Sequence, residues 1–316
     1  MKKNNPLLLK FYKSFLNYFW LRPENAILCS FRALDFNRVL KKYIKKNDKI
    51  IDVACGDGVY SFIAAEGELD ADFDTFQSIL NKKRTSKFDA YDYFNNKLKV
   101  KVKKKPKYLF DTGTDWKNNL LKKANILKFY KKLIIHNNEK KLKLENKYKL
   151  VFSNSAYWVK GLSSHLNDMK ELTEKNGYIY LQMKFKEGLQ TTMIKNNTKI
   201  NFGKIFFDII DAGRFATWRG LKTKKEFDKI LKSNKDLQII SYKPLYGGII
   251  GNMWDIGLRP LFKPLAELIK NTKINKLSKI KKEWVNILYE LTSYFMINYK
   301  PNKKNIMEYT ILLKKK

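Results

Sequence analysis

Cysteine, histidine and arginine are all scarce in this 316-residue chain, and each shortage removes a class of chemistry. The only cysteines, Cys29 and Cys55, are too few and too far apart for a disulfide framework or a zinc site, so no metal is expected. They fit a reducing, cytoplasmic setting. His136 ends a predicted strand without a catalytic partner in the sequence. It reads as structural, because a general base must first reach the proton it takes. No apolar run approaches the ~20 residues needed to cross a bilayer. The nearest, 285–299, is short and contains Glu290. The N-terminus lacks an unbroken apolar core followed by a small-residue cleavage site, and so does not read as a signal peptide.

The chain is strongly basic, with a formal charge of +35, yet only seven of its 65 basic residues are arginine. Arginine is the residue that reads guanine edges and grips phosphate bidentately. Lysine is spread along almost every segment among abundant Asn and Ile, which reads as a solvated surface shaped by composition. A polyanion or an anionic membrane is the alternative partner. The hydrophobic fraction of 44% is enough to bury a substantial core, in one elaborated domain or one domain with a small accessory.

The stretch 49–61, KIIDVACGDGVYS, organises the rest. Ile50, Ile51, Asp52 and Val53 form a nearly continuous β-branched run, the pattern of a strand buried on both faces of a parallel sheet. Small residues follow from Ala54 to Gly58, where the backbone can turn sharply and approach a ligand, and a helical pattern begins at Val59. Strand, glycine turn and helix form the first unit of a doubly wound α/β domain, which binds ligands at the carboxyl end of that strand. The dinucleotide fingerprint wants a third small residue three places beyond its second glycine, a place held here by Ser61. An ordinary tight βα turn without a ligand is the bland reading.

With Asp52 as the acid, Ala54 in the first small position and glycines at Gly56 and Gly58, the stretch resembles motif I of the class I S-adenosylmethionine (SAM)-dependent methyltransferases. Ala54 stands where that family usually has its first glycine. The resemblance implies a Rossmann-like α/β fold: a doubly wound, mainly parallel seven-stranded sheet with helices on both faces, plus helical insertions. It implies SAM as cofactor. Asp52, Ala54, Gly56 and Gly58 would hold the methionine part, with Cys55 and Asp57 in the same turn. Residues 112–116 are similar to the family's second strand end, so Asp115 would take the ribose, with Trp116 beside it. An acid ~20 residues beyond the turn would instead point to Asp72 or Asp74, but that region is not strand-like and no suitable helix follows it. Asn137 replaces the acid that contacts adenine, and its side-chain oxygen can still accept from the exocyclic amine. Ser153 and Asn154 would line the methyl channel. Tyr157 and Trp158 would pack the acceptor or face the sulfonium, or else serve as core aromatics. Asn154-x-x-Tyr157 lacks both prolines of the signature found in enzymes that methylate amide or exocyclic nitrogens.

The remaining elements follow from pattern. Residues 1–48 read as an N-terminal helical extension. Aromatics within 6–20 suit a helix capping the core, with a peripheral contact to the inner face of a membrane as the alternative. Strands are expected at 108–111, 132–136, 148–152, 177–183, 237–242 and 306–313, and a capping box at Thr223 and Glu226 opens a helix over 223–234. The domain 49–316 then carries insertions at about 66–107, 186–220 and 244–304, the last two building an acceptor pocket. The resemblance implies methyl transfer to a small molecule or to a sugar or lipid-linked glycan. The alternatives are a nucleic-acid or protein N-methyltransferase, and an NAD-dependent or non-catalytic protein on the same fold. No residue is singled out as catalytic, because methyl transfer from an activated donor needs alignment before it needs a base.

Overall fold

The computed structural model describes residues 5–76, 92, 94, 100–190, 218–302 and 305–316. Most of the expected insertion at 186–220 therefore lies outside the described residues, as does the middle of the one at 66–107.

Ile50–Val53 (β1) is buried along its whole length. It pairs in parallel with Phe110–Asp115 (β4) on one side and Tyr148–Ser153 (β6) on the other. Tyr130–Ile135 (β5) extends the sheet beyond β4. Beyond β6 come Thr173–Lys184 (β7), Ile306–Lys315 (β9) and Leu237–Gly247 (β8). The order is β5-β4-β1-β6-β7-β9-β8, and β9 alone runs antiparallel to its neighbours. This is the doubly wound, mainly parallel seven-stranded sheet implied by the glycine-turn motif. From β1 the chain winds outward to β4 and β5, then returns to β6 on the opposite flank. The carboxyl end of β1 is therefore the switch point at which such sheets bind ligands.

Two long helices precede the sheet. Pro6–Tyr18 (α1) starts where proline is tolerated, with the Asn5 side chain accepting the Leu8 amide at 3.3 Å. Its aromatic stripe is turned inward: Phe11, Tyr12 and Phe15 are buried. The helix caps the core, and that stripe is not available to a membrane. Pro23–Tyr43 (α2) lies against the sheet through Phe36, which stacks on Phe152 at 4.1 Å and on Tyr180 at 5.2 Å. Each such pair adds about 0.5–1.5 kcal/mol beyond its area burial. Helices Val59–Ala64 (α3), Asn118–Ile126 (α4) and Leu162–Leu172 (α5) connect the parallel strands. Lys186–Gln190 (α6) follows β7. Lys224–Ser233 (α7) carries the expected capping box between Thr223 and Glu226. Gly248–Asn252 (α8), Phe262–Lys270 (α9) and Ile274–Asn298 (α10) separate β8 from β9.

Several element expectations change: β4 ends at Asp115 rather than at 111, and β7 begins at Thr173 rather than at 177. Within 66–107, Glu68–Leu69 (β2) and Val102–Lys104 (β3) form a small antiparallel pair, so this stretch is not wholly irregular. β8 runs on to Gly247, five residues past the expected end. Pro244 lies within the extension, and β8 is an edge strand, where a missing backbone donor costs no ladder bond.

Candidate functional site

At the end of β1 the chain enters the left-handed region three times in five residues, at Ala54 (φ 64°), Gly56 (φ 58°) and Gly58 (φ 74°). Parallel pairing holds the turn from outside: the Cys55 amide donates to the Thr114 carbonyl at 2.7 Å and the Ala54 amide to Thr114 Oγ1 at 3.3 Å. Gly58 is required twice over, because a Cβ there would also stand 2.7 Å from the Tyr130 ring. Gly56 differs. A Cβ on it would meet no atom within 4 Å, so the backbone faces open space. Cys55 is buried and its thiol is free.

Three carboxylates surround the turn and do different things. Asp115, at the end of β4, accepts the Gly56 amide at 3.0 Å through Oδ2 and the Lys117 amide at 2.9 Å through Oδ1. Asp57 accepts the Val59 amide at 3.1 Å, at the first turn of α3, and also accepts the Tyr18 hydroxyl from α1. Asp52 is sealed inside: its Oδ2 accepts Ser61 Oγ at 2.5 Å and the Tyr130 hydroxyl at 2.7 Å. The alternative acids are placed elsewhere. Asp74 pairs with Lys281 of α10 at 2.8 Å, and Asp72 accepts from Ser278 of the same helix.

Burial raises the Asp52 carboxyl to about 6, from an ordinary 3.8, although Ser61 and Tyr130 pull the other way. A raised carboxyl pKa favours the protonated native state. Its stabilisation is complete below the unfolded value and is lost as pH rises through about 6, a span worth about 3 kcal/mol. Asp52→Asn cannot titrate. The stability of the wild type relative to this variant, from urea unfolding, should fall by about 2 kcal/mol between about pH 4 and pH 7. A flat difference would mean that the site solvates the carboxylate as well as water does.

The other expected residues divide between open and buried positions. Trp116 is 66% exposed. Asn137 is exposed, and its Oδ1 accepts the Glu139 amide at 3.0 Å in a local turn. Its neighbour Asn138 carries a buried Oδ1 with no hydrogen-bond partner among the described residues, a position the strand pattern did not single out. The His136 amide donates to the Asp115 carbonyl at 2.9 Å, which fixes the β5 end beside the β4 end. Ser153 is fully buried, its hydroxyl accepting the Ser155 amide at 3.4 Å, and Asn154 is half-buried. Ala156–Trp158 forms a tight turn in which Trp158 points outward while Tyr157 packs edge-on against Trp218 at 5.5 Å. Among the described residues no group of His, Cys, Asp and Glu could hold a metal ion.

A buried ionic cluster on the same sheet edge was missed in sequence. Glu308 of β9 accepts Arg32 Nε at 2.5 Å and Arg32 Nη2 at 2.6 Å, Lys184 Nζ at 2.5 Å, and the Tyr246 hydroxyl. Lys184 also stands 4.8 Å and 5.0 Å from the ring centres of Tyr246 and Trp254. The signal was present: a lysine ends one apolar strand and a glutamate interrupts another.

No protein-family model matches the chain, and no curated protein matches it in sequence. Solved structures do resemble it. A SAM-dependent methyltransferase from Geobacter sulfurreducens in complex with S-adenosyl-L-homocysteine shares 10% identity at a TM-score of 0.45, over 90% of each chain. One from Thiobacillus denitrificans with the same molecule shares 10% at 0.46, over 90% of this chain and 91% of that one. The [4+2]-cyclase SpnF shares 9% at 0.47, over 90% of this chain and 81% of that one. Likeness at that level, to proteins of differing activity, leaves function to be argued from the site.

Proposed function

We propose that this protein is a SAM-dependent methyltransferase acting on a small molecule or on a sugar or lipid-linked glycan. The observation that carries the reading is the pairing of an open, left-handed Gly56 with the Asp115 carboxylate bound to its amide. An ionised carboxylate has about four acceptor positions. The two backbone amides use two, leaving acceptor capacity for the two hydroxyls of a ribose.

The residues present fit this cofactor better than a dinucleotide. A pyrophosphate needs the amides at the N-terminus of the helix that follows the turn. Here the Asp57 carboxylate takes the Val59 amide, so a diphosphate would meet like charge. Asp57 and Asp115 beside one turn, in a chain of net charge +35, instead suit a cationic sulfonium. The buried, unpartnered Oδ1 of Asn138 suits the exocyclic amine of adenine, and Asn138 replaces Asn137 in that proposed role. Asp52 acts on the turn from beneath, through Ser61 and Tyr130, rather than on the cofactor.

SAM, when bound, supplies a methyl group already activated on sulfur. The chain's task is to hold donor and acceptor in line and to keep water out, and alignment of this kind supplies much of the rate. Asp115 and Gly56 would fix the nucleoside. Asn154, half-buried at the β6 end, would face the acceptor path.

Calorimetric titration separates the readings. Saturable one-to-one binding of SAM and of S-adenosyl-L-homocysteine is expected, with no heat from NAD. Binding of NAD but not SAM would overturn the proposal. Labelled SAM incubated with cell extract should then mark the acceptor.

A further inference from the structure

The apolar residues of α10 fall into two separate stripes. Val285, Leu288 and Met296 face the core. Ile287, Leu291, Tyr294 and Phe295 face solvent, with Leu291 63% and Tyr294 69% exposed. At its C-terminal end the outer stripe meets the exposed Ile249 of α8 across an open groove of about 530 Å³. Gly248, which follows β8, and Asn305, which precedes β9, also line that groove. β8 and β9 therefore deliver it to the sheet edge at which β1 and β4 present Gly56 and Asp115.

Residues 262–305 contain ten lysines, three glutamates and no arginine. Lys276, Lys279, Lys282 and Lys300 are exposed. A contiguous apolar patch on a soluble surface calls for a partner. Nucleic acid gives no reason for the aliphatic stripe. A second copy of this face would bring the same excess of positive charge against itself. Anionic headgroups satisfy both features at once, since lysines are attracted without fixed geometry while aromatic and aliphatic tips enter the interfacial layer. Among the described residues no helix is long and apolar enough to cross a membrane, so the contact is peripheral.

We propose that α10 and its adjoining groove are the face by which this protein sits on an anionic lipid bilayer. Leu291 and Tyr294 enter at headgroup level and the lysines lie over the phosphates. A further consequence rests on the proposed methyl transfer: an acceptor carried in the membrane would reach the glycine turn from this edge.

Sedimentation of the full chain with phosphatidylcholine vesicles, with and without about a third phosphatidylglycerol, tests the surface. Binding is expected to the anionic vesicles only, to weaken at least about tenfold in Leu291→Glu/Tyr294→Glu, and to be released by salt. Lys276→Glu/Lys279→Glu should also weaken it while leaving the apolar stripe intact. No binding to anionic vesicles at low salt, or binding by both double variants as tight as the wild type's, overturns the proposal. So does a wild-type dimer in sedimentation equilibrium that Leu291→Glu/Tyr294→Glu abolishes, which would assign the face to a second copy. SAM calorimetry on the same preparations keeps the two readings apart. Vesicle binding without SAM binding sinks the cofactor assignment alone, and SAM binding without vesicle binding sinks the membrane face alone.

Discussion

Asp115→Ala is expected to weaken SAM binding by at least about 100-fold while leaving a folded protein. The side chain is 6% exposed at the end of β4, and the Gly56 and Lys117 amides hold both of its oxygens in place. A ribose diol would therefore meet a carboxylate that need not reorganise. Two hydrogen bonds to a charged acceptor are worth about 1.5–3 kcal/mol each, and the sum corresponds to about a hundredfold or more. Burial also raises the Asp115 carboxyl above its ordinary range, although the two amides oppose this. Alanine removes a group that is costly to ionise even with Lys117 nearby, which offsets part of the cost of leaving the Gly56 and Lys117 amides without this acceptor, so the apo-protein should lose little stability. Thermal melts with saturating ligand check both halves. Wild type should gain about 2.7 kcal/mol at a ligand concentration of about 100 Kd, and the variant almost nothing at the same concentration. Calorimetric affinity within about threefold of wild type would remove Asp115 from the ribose site.

That prediction is available from sequence because everything it needs is local. β1, its glycine turn and the start of α3 are contiguous, and the acid closing β4 is marked by the strand that leads to it. The boundaries that slipped did so for physical reasons. Edge position lets β8 carry Pro244, and whether a strand is at the edge is a property of the finished sheet. Asn137 and Asn138 are equivalent in any pattern. A turn in which the Lys140 amide donates to the Asn137 carbonyl at 2.9 Å settles which side chain is turned outward. The partners of the buried acids had no local signal. Tyr18 is 39 residues from Asp57, and Tyr130 is 78 from Asp52. Both tyrosines lie among aromatics that read equally well as core. The lysine-rich surface was legible as charge but not as a face, because helix packing alone decides which stripe of α10 stays uncovered.

Glu308→Ala should be the most destabilising of these substitutions, costing about 3–5 kcal/mol. The residue is fully buried and 276 positions from Arg32, which it joins through two hydrogen bonds. Burial on its own would raise the Glu308 carboxyl, yet Arg32 and Lys184 hold it down to about 2. The stabilisation is thus fully present above the ordinary value of 4.5 and is lost as pH falls toward about 2. Alanine strands two buried cations, a far larger penalty than the loss of the attraction itself. Glu308→Gln keeps the shape and not the charge, so it should approach the alanine value and lose the acid-side slope in stability. Lys184→Met is the control. Glu308 keeps Arg32, and methionine fills the space beside Tyr246 and Trp254, so less than half the cost is expected. Guanidinium unfolding of the three variants gives the order directly. If Glu308→Ala cost less than about 1 kcal/mol, this cluster would not be what fastens β9 and β7 to α2. The carboxyl edge of the sheet would then owe its shape to aromatic packing alone.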